Sequence, residues 1–99
     1  MDVEFRDKKL ALIETDRAAA DTGFSIALIE SARDKLNFIR QAADERSLRN
    51  WKSLHYEKLE GDRKGQRSIK LNKQFRLIFE IDNESRPPKV TILSIEDYH

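Results

Sequence analysis

Between Ser68 and Ile81 the apolar side chains fall at every second position, and that period of two commits this stretch to β-structure. Ile69 and Leu71 alternate with Ser68 and Lys70, and Phe75, Leu77, Phe79 and Ile81 alternate with Arg76, Ile78 and Glu80. Successive strand residues point to opposite faces of a sheet, so each run offers one apolar face to a core. Asn72-Lys73 between the runs predicts a two-residue hairpin turn. The two prolines before Lys89 cannot donate to a ladder and predict a loop over residues 83–88. The run Lys89-Val90-Thr91-Ile92-Leu93-Ser94-Ile95 is then a third antiparallel strand.

Upstream of the glycine-bracketed turn Gly61-Asp62-Arg63-Lys64-Gly65 the period is that of a helix. Ile29, Ala32, Leu36, Ile39 and Ala43 recur at steps of three and four, with Ser25 placed as N-cap. Asp7 is placed to cap a shorter helix through Leu10 and Ile13, after a first strand over Val3-Glu4-Phe5 and before a break over residues 16–23. Leu48, Trp51 and Leu54 are spaced for a further helical turn, which makes Trp51 a core residue in preference to a base-stacking one. The expectation is a single domain over residues 1–99 of the α+β class, with two N-terminal helices packed on one face of a small antiparallel sheet.

Composition removes several kinds of chemistry. Cysteine is absent, so disulfides, thiolate metal sites and a cysteine nucleophile are excluded. The two histidines, His55 and His99, have no metal-ligand spacing, and no zinc or other metal site is expected. No run approaches the ~20 apolar residues of a membrane span, and the N-terminus lacks the pattern of an export signal, so the protein is expected to stay in the cytoplasm. The net charge of +1 hides a strong asymmetry: residues 46–76 hold ten Lys and Arg against three Asp and Glu. Such a segment draws a polyanion to one side of a molecule, although a solvated lysine-rich face would look the same in sequence.

The chain ends in Glu96-Asp97-Tyr98-His99, directly after the third strand. The preceding run is too apolar to dangle, so these side chains are expected to be anchored at a sheet end. RNA carries its own nucleophile in the 2′-hydroxyl. Cutting it requires a base, an acid for the departing 5′-oxygen, and cations to offset charge on the phosphate. His99 has the unperturbed pKa of a proton shuttle, and an adjacent terminal carboxylate would favour its imidazolium. Asp97 and Tyr98 flank it. Arg76 on the middle strand needs an anionic partner, either a carboxylate such as Glu80 or Asp97, or a substrate phosphate held bidentately. A lone His55 near Trp51 and Tyr56 reads first as a packed or surface residue.

The stretch Leu59-Glu60-Gly61-Asp62-Arg63-Lys64-Gly65-Gln66, then Ser68-Ile69, Phe75-Arg76-Leu77-Ile78-Phe79, Val90-Thr91-Ile92 and the terminal Asp97-Tyr98-His99 resembles the HigB branch of the RelE/ParE toxin superfamily. The resemblance implies a bacterial toxin of a type II toxin-antitoxin pair, a cytoplasmic endoribonuclease that enters the A site of the 70S ribosome and cuts messenger RNA without metal or cofactor. It implies a helix-turn-helix antitoxin of the HigA kind as partner. By position, Asp97, Tyr98 and His99 match the family's catalytic tail, Arg76 its phosphate-binding arginine, and His55 an upstream catalytic histidine. A lysine frequent before the turn glycine is Glu60 here, and Lys58, Arg63 or Lys64 would replace it. The basic residues Lys58, Arg63, Lys64, Arg67, Lys70 and Lys73 are expected to dock on RNA. Two rival expectations are a ParE-like toxin that inhibits gyrase without cleavage chemistry, and a plain nucleic-acid-binding module.

Overall fold

A computed structural model describes residues 1–15, 17 and 21–97. The expected break over residues 16–23 lies in part outside the described residues, as do Tyr98 and His99. In chain order the elements are strand β1 (Asp2–Phe5), helix α1 (Lys8–Ala11) with a 3-10 turn at Leu12–Glu14, helix α2 (Ile26–Gln41) and helix α3 (Glu45–Asn50) with a 3-10 turn at Lys52–Leu54. Strand β2 (Glu57–Lys58), a 3-10 turn at Gly61–Arg63, and strands β3 (Arg67–Lys70), β4 (Phe75–Asp82) and β5 (Lys89–Asp97) follow.

Each helix starts where a short polar side chain satisfies an otherwise orphaned backbone N–H. Asp7 accepts from Lys9 N at 2.9 Å, Ser25 from Leu28 N at 3.2 Å, and Asp44 from Arg46 N at 2.9 Å. At the other end of α2, the Met1 ammonium donates to the carbonyls of Ile39, Arg40 and Ala42 at 3.1, 3.0 and 2.5 Å. A cation is favourable there because the last carbonyls of a helix are unpaired and carry its negative dipole end. Helix α2 buries Leu28, Ile29, Ala32, Leu36 and Ile39.

The sheet has five strands in the order β1-β5-β4-β3-β2 and is mixed, because β1 runs parallel to β5 while every other pair is antiparallel. This corrects the expected small antiparallel sheet. A parallel pairing joins distant segments, here Val3 to Val90 and Phe5 to Ile92, and no local pattern announces it. Strand β2 was not expected either, since its two residues are both exposed and show no alternation. The first helix is one turn long, so α2 supplies most of the helical cover. Ile69, Leu77, Phe79, Val90 and Ile92 line the covered face with the buried residues of α2, each such side chain contributing roughly 1.5–3 kcal/mol by leaving water. Trp51 is half-buried against this core, its ring 4.6 Å from that of Phe38 and its face 5.4 Å from Lys35 Nζ.

The hairpin loop also differs by one residue from the expected turn. Asn72 Oδ1 accepts from the backbone N–H groups of Gln74 and Phe75 at 2.8 and 2.7 Å, and Leu71 N donates to Phe75 O at 3.0 Å. The side chain of Asn72 thus builds a three-residue loop. A two-residue turn would pair Ile69 with Arg76, whereas the observed register pairs Lys70 with Arg76 and Ser68 with Ile78. One residue of slip would turn Ile69 out of the core.

A buried polar cluster fastens α3 to β3. Arg67 Nε donates to Glu45 Oε2 at 2.9 Å and to Tyr56 Oη at 3.1 Å, and the Tyr56 hydroxyl donates to the same Glu45 oxygen. Burial alone would push the Glu45 carboxyl up, but the hydrogen bonds from Tyr56 and Arg67 outweigh it and hold the group below the usual glutamate value. Burial, reinforced by Glu45, pushes the Tyr56 phenol up to about 12. Replacing Glu45 by Gln removes the charge that Arg67 faces, and an expected loss of about 1–3 kcal/mol should appear as a lower urea midpoint. Because the folded carboxyl titrates below its ordinary 4.5, its contribution is complete above that value and disappears as pH falls through the depressed one. The difference between wild type and Glu45→Gln should therefore shrink in acid; a constant difference from neutral pH into acid would contradict the assignment.

Candidate functional site

The helices pack on one face of the sheet, and alternation places Ser68, Lys70, Arg76, Ile78, Ser94 and Glu96 on the other, where Ser68, Arg76 and Ile78 are buried. Arg76 is 6% exposed, a low value for a guanidinium. Its Nε donates to Ser68 Oγ at 2.9 Å, its Nη2 donates to the backbone carbonyl of His55, and Glu57 Oε1 lies 4.0 Å away. Glu57 is thus an anionic neighbour that the sequence, which suggested Glu80 or Asp97, did not indicate. Two hydrogen bonds from different parts of the fork fix both the position and the tilt of the group.

His55 contributes backbone geometry to this arrangement. It terminates the 3-10 turn at Lys52–Leu54 with φ 48° and ψ 52°, the left-handed region, which turns its carbonyl toward Arg76. A non-glycine residue is uncommon there. Its imidazole is exposed. The sequence carries no signal for this role, because nothing in a lone histidine marks a left-handed carbonyl.

Beside Arg76 runs the end of β5. Glu96 pairs with Arg76 and Asp97 with Phe75, so the strand persists to Asp97, two residues beyond the expected run. Asp97 is exposed and accepts from Gln74 Nε2 at 2.9 Å. Glu96 accepts both terminal nitrogens of Arg63 at 2.7 and 2.5 Å, and Ser94 Oγ at 2.6 Å. The Arg63 fork holds the Glu96 carboxyl below the usual range against the opposing effect of burial, with Ser94 adding to it. This pair ties the Gly61–Arg63 turn to the strand that leads into the chain end. A bulge precedes it: Phe79 faces Ile92 and Ile78 faces Ser94, leaving Leu93 without a partner across the ladder. Tyr98 and His99, expected to complete the site, lie outside the described residues.

The six cations expected to dock on RNA divide. Arg67 is engaged inside the fold by Glu45, and Arg63 is paired with Glu96 at the surface. Lys58 and Lys64 are exposed and border a cleft of about 180 Å³ with Leu59, Gly65 and Gln66. Lys70 stands on the face of Arg76, and Lys73 is exposed in the hairpin loop. Ser68, Gln74, Glu45 and Tyr56 were missed, and a correct hairpin register would have pointed to Ser68, which sits diagonally across from Arg76. Among the described residues no group of three or more His, Asp or Glu is arranged to hold a metal, and no helix is long and apolar enough to cross a membrane.

The fold and its residues have relatives. A family model described as "RelE-like toxin of type II toxin-antitoxin system HigB" matches residues 3–91. Among solved structures, a YoeB/ParE toxin from Agrobacterium tumefaciens superposes with a TM-score of 0.59 at 14% identity, covering 100% of both chains. YafQ from E. coli strain BL21(DE3) gives 0.59 at 14% identity over 97% of this chain and 91% of that one. A chain of a YoeB-YefM complex from Staphylococcus aureus gives 0.57 at 16% identity over 100% and 97%. At these identities the likeness to solved structures concerns the fold. No curated protein matches the chain.

The left-handed conformation of His55 has a measurable consequence. It costs an L-residue about 1–2 kcal/mol, a cost glycine avoids at the expense of about 0.5–1 kcal/mol of extra chain entropy. His55→Gly should therefore melt at or above the temperature of His55→Ala, and a distinctly less stable glycine variant would contradict the geometry that presents the carbonyl to Arg76.

Proposed function

From the membership of this chain in the HigB-like, RelE-like toxins of type II toxin-antitoxin systems, we propose that it arrests translation by cutting messenger RNA in the A site of the 70S ribosome. The observation that carries this reading is the register at the end of β5, where Asp97 faces Phe75 and Glu96 faces Arg76. His99 follows Asp97 after a single residue, a tether of about 7 Å. In this reading a proton carrier at the strand end works together with the fixed guanidinium of Arg76.

In the reaction, a base removes the proton of a ribose 2′-hydroxyl, the resulting oxygen attacks the adjacent phosphorus, and the P–O5′ bond breaks. The departing 5′-oxygen takes a proton from an acid, leaving a 2′,3′-cyclic phosphate and a 5′-hydroxyl. His99 carries a proton in this scheme, with Asp97 and Tyr98 positioning or sharing it. His55, with its exposed imidazole beside the Arg76 anchor, is the candidate for the second transfer. Arg76 offsets the charge that builds on the non-bridging phosphate oxygens, a role that a pre-positioned donor performs without reorganisation. In this scheme side-chain cations do the work, and no metal or cofactor takes part. Lys58, Lys64, Lys70 and Lys73 supply docking contacts to RNA. The toxin works in the cytoplasm and is held inactive by a HigA-like helix-turn-helix antitoxin; the YoeB-YefM toxin-antitoxin complex of the same fold supports such pairing.

Replacing His99 with Ala tests the reading against a toxin that acts by binding alone. Growth arrest should vanish, and cleavage of translated messages, read by primer extension, should fall by about 10²- to 10⁴-fold. Cuts in the wild type should be phased to codons, with ribosome-free RNA left intact. Persistent growth arrest by the Ala variant would point instead to a gyrase-directed or other binding mechanism.

A further inference from the structure

We propose that the outward edge of α3 and its 3-10 extension, carrying Arg49 and Lys52, is an RNA-phosphate contact surface contiguous with the candidate site. The inference rests on the ribosomal reading above and moves part of the docking surface to residues that the sequence did not single out. Four of the ten cations in residues 46–76 are engaged: Arg46 with Asp44 at 3.1 Å, Arg63 with Glu96, Arg67 with Glu45, and Arg76 in its buried setting. Arg49 and Lys52 are exposed, and among the described residues neither forms an ion pair. Leu48 and Leu54 on the inner side of the same segment are fully buried, which fixes the orientation of the ridge. Three residues past Lys52 stands His55, whose carbonyl holds Arg76. A strand of RNA lying along the ridge would thus be led toward the guanidinium.

The chemistry of the ridge favours phosphate over a protein partner. Its exposed residues are Arg46, Arg49, Asn50, Lys52 and Ser53, all polar, while Trp51 is half-buried beside Phe38. Protein interfaces are centred on buried aromatic or aliphatic anchors. Phosphate contacts need only positioned cations and hydrogen-bond donors.

The test measures binding of the full chain, carrying His99→Ala to prevent cleavage, to purified 70S ribosomes over a series of KCl concentrations. Adding Arg49→Gln and Lys52→Gln should weaken binding and reduce the slope of log K against log[salt] by about 1.4–1.8, since each lost phosphate contact removes roughly 0.7–0.9. Arg49→Lys with Lys52→Arg keeps both charges and should bind as the parent does. Unchanged affinity and slope for the Gln pair, while the unmutated chain still cuts ribosome-bound messages, would overturn this inference and leave the nuclease reading standing. Loss of antitoxin binding with ribosome binding intact would assign the ridge to a protein and also overturn it. No ribosome binding by the parent would remove both.

Discussion

A guanidinium withdrawn from water must find acceptors, or the fold that buried it loses several kcal/mol. Arg76 meets that demand with the Ser68 hydroxyl, the His55 carbonyl and the nearby Glu57 carboxylate, and much of the architecture serves to deliver these three. Ser68 reaches Arg76 because the Asn72-centred loop sets the β3–β4 register. The His55 carbonyl reaches it because the segment between α3 and β2 turns through a left-handed residue. That segment is in turn clamped at Tyr56, which shares Glu45 with Arg67 of β3. A change at any of these points would loosen the guanidinium without touching it.

The last strand supplies the second half of the site. β5 lies between β1 and β4, but β1 accompanies it only from Lys89 to Ile92, so among the described residues Ser94 to Asp97 are paired on the β4 side alone. The Leu93 bulge falls at that transition. Bulges re-aim the residues that follow them, and this one precedes Ser94 and Glu96, which join the face of Arg76. Arg63 grips Glu96, and Gln74 meets Asp97, so the glycine-bracketed turn and the hairpin loop both steady the strand just ahead of Tyr98 and His99. Fixed geometry on the β4 side and an open edge on the other fit the proposal of an RNA-cleaving site.

Local pattern disclosed most of the elements and few of the contacts between them. The three- and four-residue spacing of Ile29, Ala32, Leu36 and Ile39 and the Ser25 cap announced α2, alternation announced β3 and β4, and a continuous apolar, β-branched run announced β5. The expectation of an anchored chain end holds as far as Asp97. The one-residue difference in the hairpin loop was hidden because it depends on a side-chain hydrogen bond from Asn72. Charge counting also could not show which cations are paired with carboxylates. Arg67 and Arg63 are engaged by Glu45 and Glu96, 22 and 33 residues away, and pairings across such separations leave no trace in composition. The short exposed β2, the parallel β1–β5 pairing and the role of the His55 backbone were hidden for the same reason: each is decided by tertiary neighbours.

Single-turnover cleavage of ribosome-bound message by an Arg76→Lys variant tests the central claim most directly. Lysine keeps the positive charge but lacks the planar fork that bonds Ser68 and the His55 carbonyl together. If the pre-positioned guanidinium stabilises the charge developing on phosphate, the rate should fall by about 10²- to 10³-fold while the variant remains folded by circular dichroism and binds ribosomes as the wild type does. A folded Arg76→Lys protein that cuts at the wild-type rate would contradict the account.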